Sequence, residues 1–204
     1  MSERKLIFFT SDWHIGHPNV LDYSKRPFTD IDHMEHILIN NFNSTVPQGS
    51  LTYFLGDMGL CKGDRIKKVL DQLNGSKCLI LGNHDKGSNT MYSLGFDVVL
   101  NAATLYIANQ RVTMSHCPLR GLYREDTSGM KGSMPGALWH GDHKQHAFSV
   151  ENEGQFHLSG HIHSPNGGKS EKILGKQYDV GVDANNYRPV SISKIESWIS
   201  KYHE

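Results

Sequence analysis

The stretch Gly82-Asn83-His84-Asp85-Lys86 organises the chain, and it follows directly on the apolar run Lys77-Cys78-Leu79-Ile80-Leu81. A short apolar run bounded by glycines is typical of a buried strand that ends in a tight turn. In α/β sheets, groups just beyond the carboxyl end of a strand lie in the ligand crevice. The amide, imidazole and carboxylate found there are suited to binding a hard cation, moving a proton and orienting the imidazole. Taken alone, an ordinary glycine turn explains the stretch equally well.

Composition limits the class of protein. A chain of 204 residues with 37% hydrophobic content is long enough to bury one core, and we expect a single domain. Its 21 basic and 21 acidic residues cancel, so no overall charge favours nucleic acid or an anionic membrane. The 3 cysteines are scattered as in proteins of a reducing compartment. With neither a signal-peptide pattern nor an apolar run of about 18–20 residues, the sequence predicts a cytoplasmic protein without membrane contact.

Two further predicted strands end in acidic residues. The run at residues 5–10 leads into Ser11-Asp12-Trp13-His14, and the run at 51–55 leads into Gly56-Asp57. Period-two alternation predicts that Asp12 and His14 point to one side, with Trp13 opposite. A carboxylate beside an imidazole is half of a transition-metal site, although a capping aspartate and a packed histidine would give the same triplet.

Helices predicted at about 30–46 and 63–73 separate these strands. A β-α-β-α-β order implies right-handed crossovers and adjacent parallel strands. We therefore expect Asp12, Asp57 and Asn83 to lie side by side at one edge of the sheet.

The second half of the chain is rich in predicted strands. Runs at 97–100, 103–107 and 110–115, with a hairpin turn at Ala108-Asn109, lead to His116-Cys117, and we interpret Cys117 as a packed residue. A strand at 155–159 leads to Gly160-His161-Ile162-His163. On an extended segment, histidines two residues apart face the same way, which suits one pocket or two adjoining metals. Strands at 177–183 and 189–192 and a helix from about residue 193 complete the prediction.

Residues 119–147 form a long glycine-rich segment without apolar periodicity. A structureless loop of this length is usually functional or mobile. One hypothesis is a lid over the substrate in which Arg120 or Arg124 binds the anion. A surface excursion with solvated charges is an equal alternative.

The whole set of motifs resembles the calcineurin-like metallophosphoesterase superfamily, whose signature is these blocks in this order. The blocks are Asp12-x-His14, Gly56-Asp57, Gly82-Asn83-His84-Asp85, His116 and Gly160-His161-x-His163, so the resemblance runs from about residue 7 to 163. It implies an α/β fold, a β-sandwich of two mixed sheets flanked by helices in α-β-β-α layers, as a single domain over 1–204. The local marks Asp12-Trp13-His14-Ile15-Gly16-His17 and Arg26-Pro27-Phe28 resemble the compact bacterial or phage type.

The resemblance also implies roles for individual residues. Asp12, His14 and His163 would hold one metal, Asn83, His116 and His161 the other, and Asp57 would bridge them. Carboxylate, amide and imidazole ligands suit Mn²⁺ first, with Fe, Zn²⁺ or Ni²⁺ as alternatives. A hydroxide bridging the metals would attack phosphorus, His84 would protonate the leaving oxygen, and Asp85 would orient His84. His17, Arg26, Asn185 and Arg188 become candidates for the substrate pocket, unless the two arginines pair with acidic neighbours.

The expected activity is therefore hydrolysis of a phosphodiester or phosphomonoester in a small phosphorylated or nucleotide-like substrate. A nuclease acting on RNA or DNA is the alternative, which the neutral net charge disfavours. Protein phosphatase activity is not expected, because Asp57 is followed by Met58-Gly59-Leu60 and not by the Asp-Arg-Gly of those enzymes. A non-catalytic scaffold would have lost ligands that this chain keeps. The sequence does not give the oligomeric state.

Overall fold

Two mixed β-sheets pack face to face in this computed structural model, which describes residues 6–120, 145–164 and 174–202. The first sheet has the order β4 (Val98–Leu100), β3 (Ser76–Ile80), β2 (Leu51–Phe54), β1 (Ile7–Thr10) and β9 (Val190–Ser191). Its first four strands are parallel, and β9 runs antiparallel to β1. The second sheet has the order β5 (Ala103–Ile107), β6 (Gln110–Met114), β7 (Phe156–Ser159) and β8 (Gln177–Asp179). Only the β5–β6 pair is antiparallel there.

Five α-helices accompany the sheets in the described residues: α1 (Asn19–Tyr23), α2 (Ile31–Thr45), α3 (Gly63–Leu70), α4 (Ser88–Ser93) and α5 (Ile192–Ser200). Two short 3-10 helices cover Gln145–Phe148 and Asp183–Asn185. The predicted strands and the three longer helices are confirmed, whereas the short α1 and α4 had no recognisable pattern. None of the described helices has the length and apolar character to cross a bilayer.

Alternation along the central strands divides the core in two. Phe8, Phe54 and Leu79 point towards the helices, where they pack in one buried cluster. Their neighbours Phe9, Leu55 and Ile80 point to the second sheet and form the other cluster. Because successive side chains on a strand face opposite ways, the first sheet is covered on both faces. The expected fold of two mixed sheets with helices is confirmed.

Helix α5 closes the core between the sheets. The side chain of Ser191 accepts a hydrogen bond from the amide of Lys194 and caps the helix. One turn further on, the ring of Trp198 packs 5.4 Å from that of Phe156 and 5.4 Å from that of Tyr178. The C-terminal end of the chain is thus fixed against the second sheet. Most of the hypothesised lid, residues 121–144, lies outside the described residues.

Candidate metal centre and active site

The carboxyl ends of strands from both sheets meet at one edge of the sandwich. Loops after β1, β2 and β3 come from the first sheet, and loops after β6 and β7 come from the second. The amide of Asp12 donates to the carbonyl of Gly56 at 3.1 Å, and the amide of His14 donates to the carbonyl of Asp57 at 3.1 Å. The structure brings together all the metal ligands that the sequence predicted: Asp12, His14, Asp57, Asn83, His116, His161 and His163.

Three clusters of these side chains could hold a metal. Asp12, His14 and His163 have ligand atoms within 4.8 Å of one another, and so have Asp12, Asp57 and His116. In the first cluster the Nε2 atoms of His14 and His163 are 3.2 Å apart. The third cluster joins His116 and His161 with the buried Cys117, a residue that we interpreted as packed.

Asp57 lies between the two halves of the site. Its Oδ2 is 3.7 Å from Nε2 of His14 and 3.4 Å from Nε2 of His116. The same oxygen is 3.9 Å from Nε2 of His84. A carboxylate in this position can reach a cation on either side, which is the position expected of a bridging ligand.

The ring of His116 shows that the site suits a cation. Its Nδ1 lies 2.7 Å from the carbonyl oxygen of Leu55, and because a carbonyl only accepts, Nδ1 carries the ring proton. In the neutral ring, Nε2 then presents a lone pair to Oδ1 of Asn83 at 3.0 Å and to Oδ2 of Asp57 at 3.4 Å. Lone pairs facing each other at these distances repel unless a proton or a metal lies between them. Without a metal, a proton takes that place: burial lowers the pKa of His116, but the charge and hydrogen bond of Asp57, the charge of Asp12 and the Leu55 carbonyl together raise the pKa to about 10.

Two other histidines are poised as neutral ligands. Burial lowers the pKa of His14 to about 2 and that of His161 to about 3. The Nδ1 atom of His14 is buried and has no hydrogen-bond partner among the described residues. Metal binding requires an unprotonated imidazole nitrogen, so these residues fit a metal without first losing a proton.

The backbone of the ligand loops is left-handed at five positions. Asp12, His14, Asp57, His161 and His163 have φ values of 59°, 52°, 55°, 71° and 46°. The expectation of an extended backbone at Asp12–His14 and His161–His163 is therefore wrong, and the side chains converge because the chain turns tightly. Non-glycine residues held in this region cost about 1–3 kcal/mol each and cluster at functional sites. Strain concentrated on ligand residues is an independent indication of a working site.

Two glycines of the motifs are required by close packing. A Cβ atom on Gly160 would lie 2.1 Å from Oγ of Ser11 and 2.4 Å from Oδ2 of Asp12. A Cβ atom on Gly82 would lie 2.3 Å from Oδ1 of Asp57. Any side chain at either position would displace a ligand carboxylate, which explains why glycine accompanies these acidic residues.

Asp85 has a different role from the one expected. Its carboxylate accepts hydrogen bonds from the amides of Asp57 at 2.9 Å, Met58 at 2.9 Å and Gly82 at 2.8 Å. Within the described residues no hydrogen bond joins it to the ring of His84. Burial, with the nearby charge of Asp57, raises the pKa of Asp85 to about 6. The expectation that Asp85 orients His84 is wrong; it fixes the two loops that follow β2 and β3.

His84 lies at the open rim of the site. Its side chain is 43% exposed, and its amide donates to Oδ1 of Asp57 at 3.0 Å. The ring is 5.8 Å from that of His14. This exposure leaves His84 free to face a molecule that enters from solvent.

Three of the expected pocket residues form hydrogen bonds within the protein. The guanidinium of Arg26 is buried and pairs with Asp183, which confirms the alternative of an acidic partner. Asn185 is buried, and its amide donates to the carbonyls of Asp179 at 3.0 Å and Gly181 at 2.9 Å. Arg188 lies on the surface, where it donates to the hydroxyl of Ser44 at 3.0 Å. The expectation that Arg26 and Asn185 bind substrate is wrong, because both are buried and their polar atoms bind the protein itself, whereas the exposed Arg188 stays a prediction.

The remaining candidates lie near the mouth or beyond the described residues. The ring of His17 is 5.9 Å from that of His14. Tyr23, 54% exposed, was missed by sequence reasoning, and its ring lies 5.7 Å from that of His163. Arg120 pairs with Glu151 and donates to Oγ of Ser149 at 3.2 Å, so its cation already has an acidic partner. Arg124 lies outside the described residues.

Comparisons with known proteins give relatives by sequence. No family profile matches the chain. An uncharacterised protein of Methanocaldococcus jannaschii is 42% identical over 88 residues, which are 42% of this chain and 49% of that protein. This match therefore spans about half of that relative's length. The gene 66 protein of Mycobacterium phage L5 is 28% identical over 211 residues, covering 97% of this chain and 95% of the phage protein.

Among solved structures, a protein of unknown function from Aquifex aeolicus shares the fold. It superposes with a TM-score of 0.69 at 19% identity, over 95% of this chain and 99% of that one. An archaeal phosphodiesterase superposes with a TM-score of only 0.39 at 14% identity, covering 84% of this chain and 82% of that one. So loose a superposition carries no argument about function.

Proposed function

We propose that this protein is a metal-dependent phosphohydrolase of the calcineurin-like type that cleaves a phosphodiester or a phosphomonoester. One observation carries the proposal: seven side chains of types that can bind metals, from five strand ends, converge at the seam between the two sheets. Oxygen and imidazole ligands in this number exceed what one structural ion needs. A pair of metals sharing one carboxylate is the arrangement found in phosphatases and nucleases.

The residues divide between two metal positions. Asp12, His14 and His163 would hold one metal, and Asn83, His116 and His161 the other, with Asp57 facing both. Bound divalent metals supply Lewis-acid polarisation of phosphoryl oxygens and lower the pKa of a bound water towards about 7. The donor set favours Mn²⁺, with Fe, Zn²⁺ or Ni²⁺ as alternatives. If Cys117 joined His116 and His161, its thiolate would shift the preference towards Zn²⁺.

His84 is the group we assign to protonate the leaving oxygen. It is exposed at the rim, beside Asp57, and it does not belong to any of the three metal clusters. A histidine free of the metals can carry a proton to the product, which a metal-bound ring cannot do as readily. Because its amide donates to Oδ1 of Asp57, His84 is positioned by its main chain.

A small phosphorylated or nucleotide-like molecule is the substrate class we propose. The metals would neutralise the phosphoryl group, so the chain needs no strongly basic surface, in keeping with 21 basic and 21 acidic residues. Next to the candidate ligands His14 and His163, the rings of His17 and Tyr23 lie 5.9 Å apart. Flat rings there offer contact to a base or an aryl leaving group.

The test is a substrate screen of metal-reconstituted protein. Metal-free protein is loaded in turn with Mn²⁺, Fe²⁺, Zn²⁺ or Ni²⁺ and assayed with bis-p-nitrophenyl phosphate, p-nitrophenyl phosphate and cyclic nucleotides. We expect turnover with at least one combination of metal and substrate, and we expect chelation to abolish it. An identically prepared Asp57→Ala variant should show no turnover, which excludes a contaminating phosphatase. No turnover with any metal would contradict the proposal and favour a non-catalytic scaffold.

A further inference from the structure

A buried ion pair lies directly behind one of the ligand histidines. The side chains of Arg26 and Asp183 are 0% and 5% exposed, although 157 residues separate them in the chain. Nε of Arg26 is 2.8 Å from Oδ1 of Asp183, and Nη2 is 2.8 Å from Oδ2. Two parallel hydrogen bonds of this kind are the geometry of a guanidinium with an ionised carboxylate.

Asp183 also fixes the ring of His163. Its Oδ2 lies 2.7 Å from Nδ1 of His163. An ionised carboxylate can only accept, so Nδ1 carries a ring proton, and in the neutral ring Nε2 then presents its lone pair. That Nε2 points at the neighbouring ligand, 3.2 Å from Nε2 of His14. The carboxylate thereby selects the tautomer that a metal requires.

Arg26 holds the other two ligands of the same cluster through their backbone. Its Nη2 donates to the carbonyl of Asp12 at 2.7 Å, and its Nη1 donates to the carbonyl of Trp13 at 3.1 Å. These carbonyls belong to the turn in which Asp12 and His14 both have positive φ. One guanidinium therefore stabilises a strained turn and anchors the carboxylate behind His163.

In the other half of the site, the ring of His116 is held without this pair. His116 is oriented by the backbone carbonyl of Leu55, at 2.7 Å from its Nδ1. Among the described residues, Arg26 and Asp183 have no hydrogen bond to Asn83, His116 or His161.

We infer that Arg26 and Asp183 are positioning residues for one metal position, that of Asp12, His14 and His163, and leave the position of Asn83, His116 and His161 unaffected. The inference rests on the proposed function, because it needs two bound metals. The inference predicts a selective effect on metal affinity: one position is weakened and the other is not. Loss of a structural ion pair that served the whole fold would weaken both positions alike.

The experiment compares Asp183→Asn with wild-type protein. Metal affinity of each position is measured by competition of Mn²⁺ or Zn²⁺ with a chelator. We expect one of the two affinities to fall about 10–100-fold and the other to stay unchanged, so that occupancy drops from two metals to one at limiting free metal. The matched control is Asp71→Asn, which removes an exposed carboxylate paired with Lys67 and should change neither affinity.

Each outcome separates the inference from the proposed function. Wild-type protein with two metals and an Asp183→Asn variant with both affinities unchanged, or both lowered equally, would overturn the inference and leave the function standing. Wild-type protein that binds no metal would overturn both.

A second measurement avoids a variant that fails to fold. In zinc-loaded wild-type protein with ¹⁵N-labelled histidine, His163 is identified as the ring signal missing from His163→Gln. We expect a proton on its Nδ1 and the metal on its Nε2. The opposite assignment of these nitrogens would contradict the role of Asp183.

Discussion

The two sheets supply different ligands to the site and hold them in different ways. The first sheet provides all the oxygen donors, Asp12, Asp57 and Asn83, and its loops after β2 and β3 are fixed through the backbone by Asp85. The second sheet provides His116 and His163, which are fixed through the second nitrogen of each ring. The carboxylates are thus placed by main-chain geometry, whereas His116 and His163 are placed by a hydrogen-bond partner.

The loops at the carboxyl ends of the two sheets also orient each other. Oδ2 of Asp12, from the first sheet, accepts the amide of His161, from the second, at 3.0 Å. In return, Nδ1 of His116 in the second sheet binds the carbonyl of Leu55 in the first. The loops of either sheet depend on the other sheet for the arrangement of their side chains, so the site exists only when the sheets are packed. Metal that binds the folded protein should therefore raise its stability as the metal concentration rises.

Asp57→Ala should produce the largest effect, because its carboxylate faces both halves of the site. We expect at least one metal to be lost and turnover to fall on the order of 10³-fold or more, since a metal contributes several kcal/mol of transition-state stabilisation. Elemental analysis of the dialysed variant, together with kcat, checks this. Two metals retained in that variant would refute the bridging role.

His84→Ala should affect chemistry but not metal content. His84 lies on the loop after β3 of the first sheet and belongs to none of the metal clusters, so both metals should stay bound. We expect kcat to fall by about 10²–10⁴-fold on an alkyl phosphoester and much less on a p-nitrophenyl ester, whose leaving group needs no proton. Full activity on the poor leaving group would remove His84 from the mechanism.

His157→Gln tests the hydrogen bonds beneath His116 in the second sheet. His157 is buried, with Nδ1 2.9 Å from Oγ1 of Thr113 and Nε2 3.2 Å from Oγ of Ser115, beside His116. Burial lowers its pKa from 6.5 to about 4, below the unfolded value. Its contribution to stability is therefore complete above pH about 6.5 and is lost as the pH falls towards 4.

The measurement is the free energy of unfolding of metal-free protein by denaturant. Between pH 7 and pH 5, the wild type should lose about 2 kcal/mol more than His157→Gln. His36→Gln, at an exposed histidine of α2, is the matched control and should behave as the wild type. Equal losses in wild type and His157→Gln would show that His157 does not couple the second sheet to pH.

Arg188→Ala should have the smallest effect and marks the outer limit of the site. The side chain is exposed, and among the described residues it binds only hydroxyls at the end of α2. We expect stability to change by no more than about 0.5 kcal/mol, and KM to stay the same. A large rise in KM would return Arg188 to the substrate pocket.

The strands, and the convergence of the candidate ligands at their carboxyl ends, were predictable because they depend on local pattern. Apolar runs that end in glycine and an acidic residue locate β1, β2 and β3, and parallel pairing of these strands is confirmed. The hairpin turn at Ala108-Asn109 was recognisable by length and composition, and both residues have the positive φ that such turns need.

The support of the ligands was not predictable from the sequence. Left-handed backbone at His14 or His161 could not be predicted from residue type, because positive φ is uncommon in every non-glycine residue, histidine included, even though it is enriched there. The pairing of Arg26 with Asp183 joins segments 157 residues apart, and nothing local announces it. Because Asp85 follows His84 in the chain, a contact between the two side chains was expected. The carboxylate of Asp85 instead accepts hydrogen bonds from three backbone amides.

Anomalous diffraction from crystals grown with Mn²⁺ tests most directly whether the two edges together build a two-metal site. We predict two peaks, one among Asp12, His14 and His163 and one among Asn83, His116 and His161, with the carboxylate of Asp57 between them. A single peak, or one confined to His116, Cys117 and His161, would contradict the account.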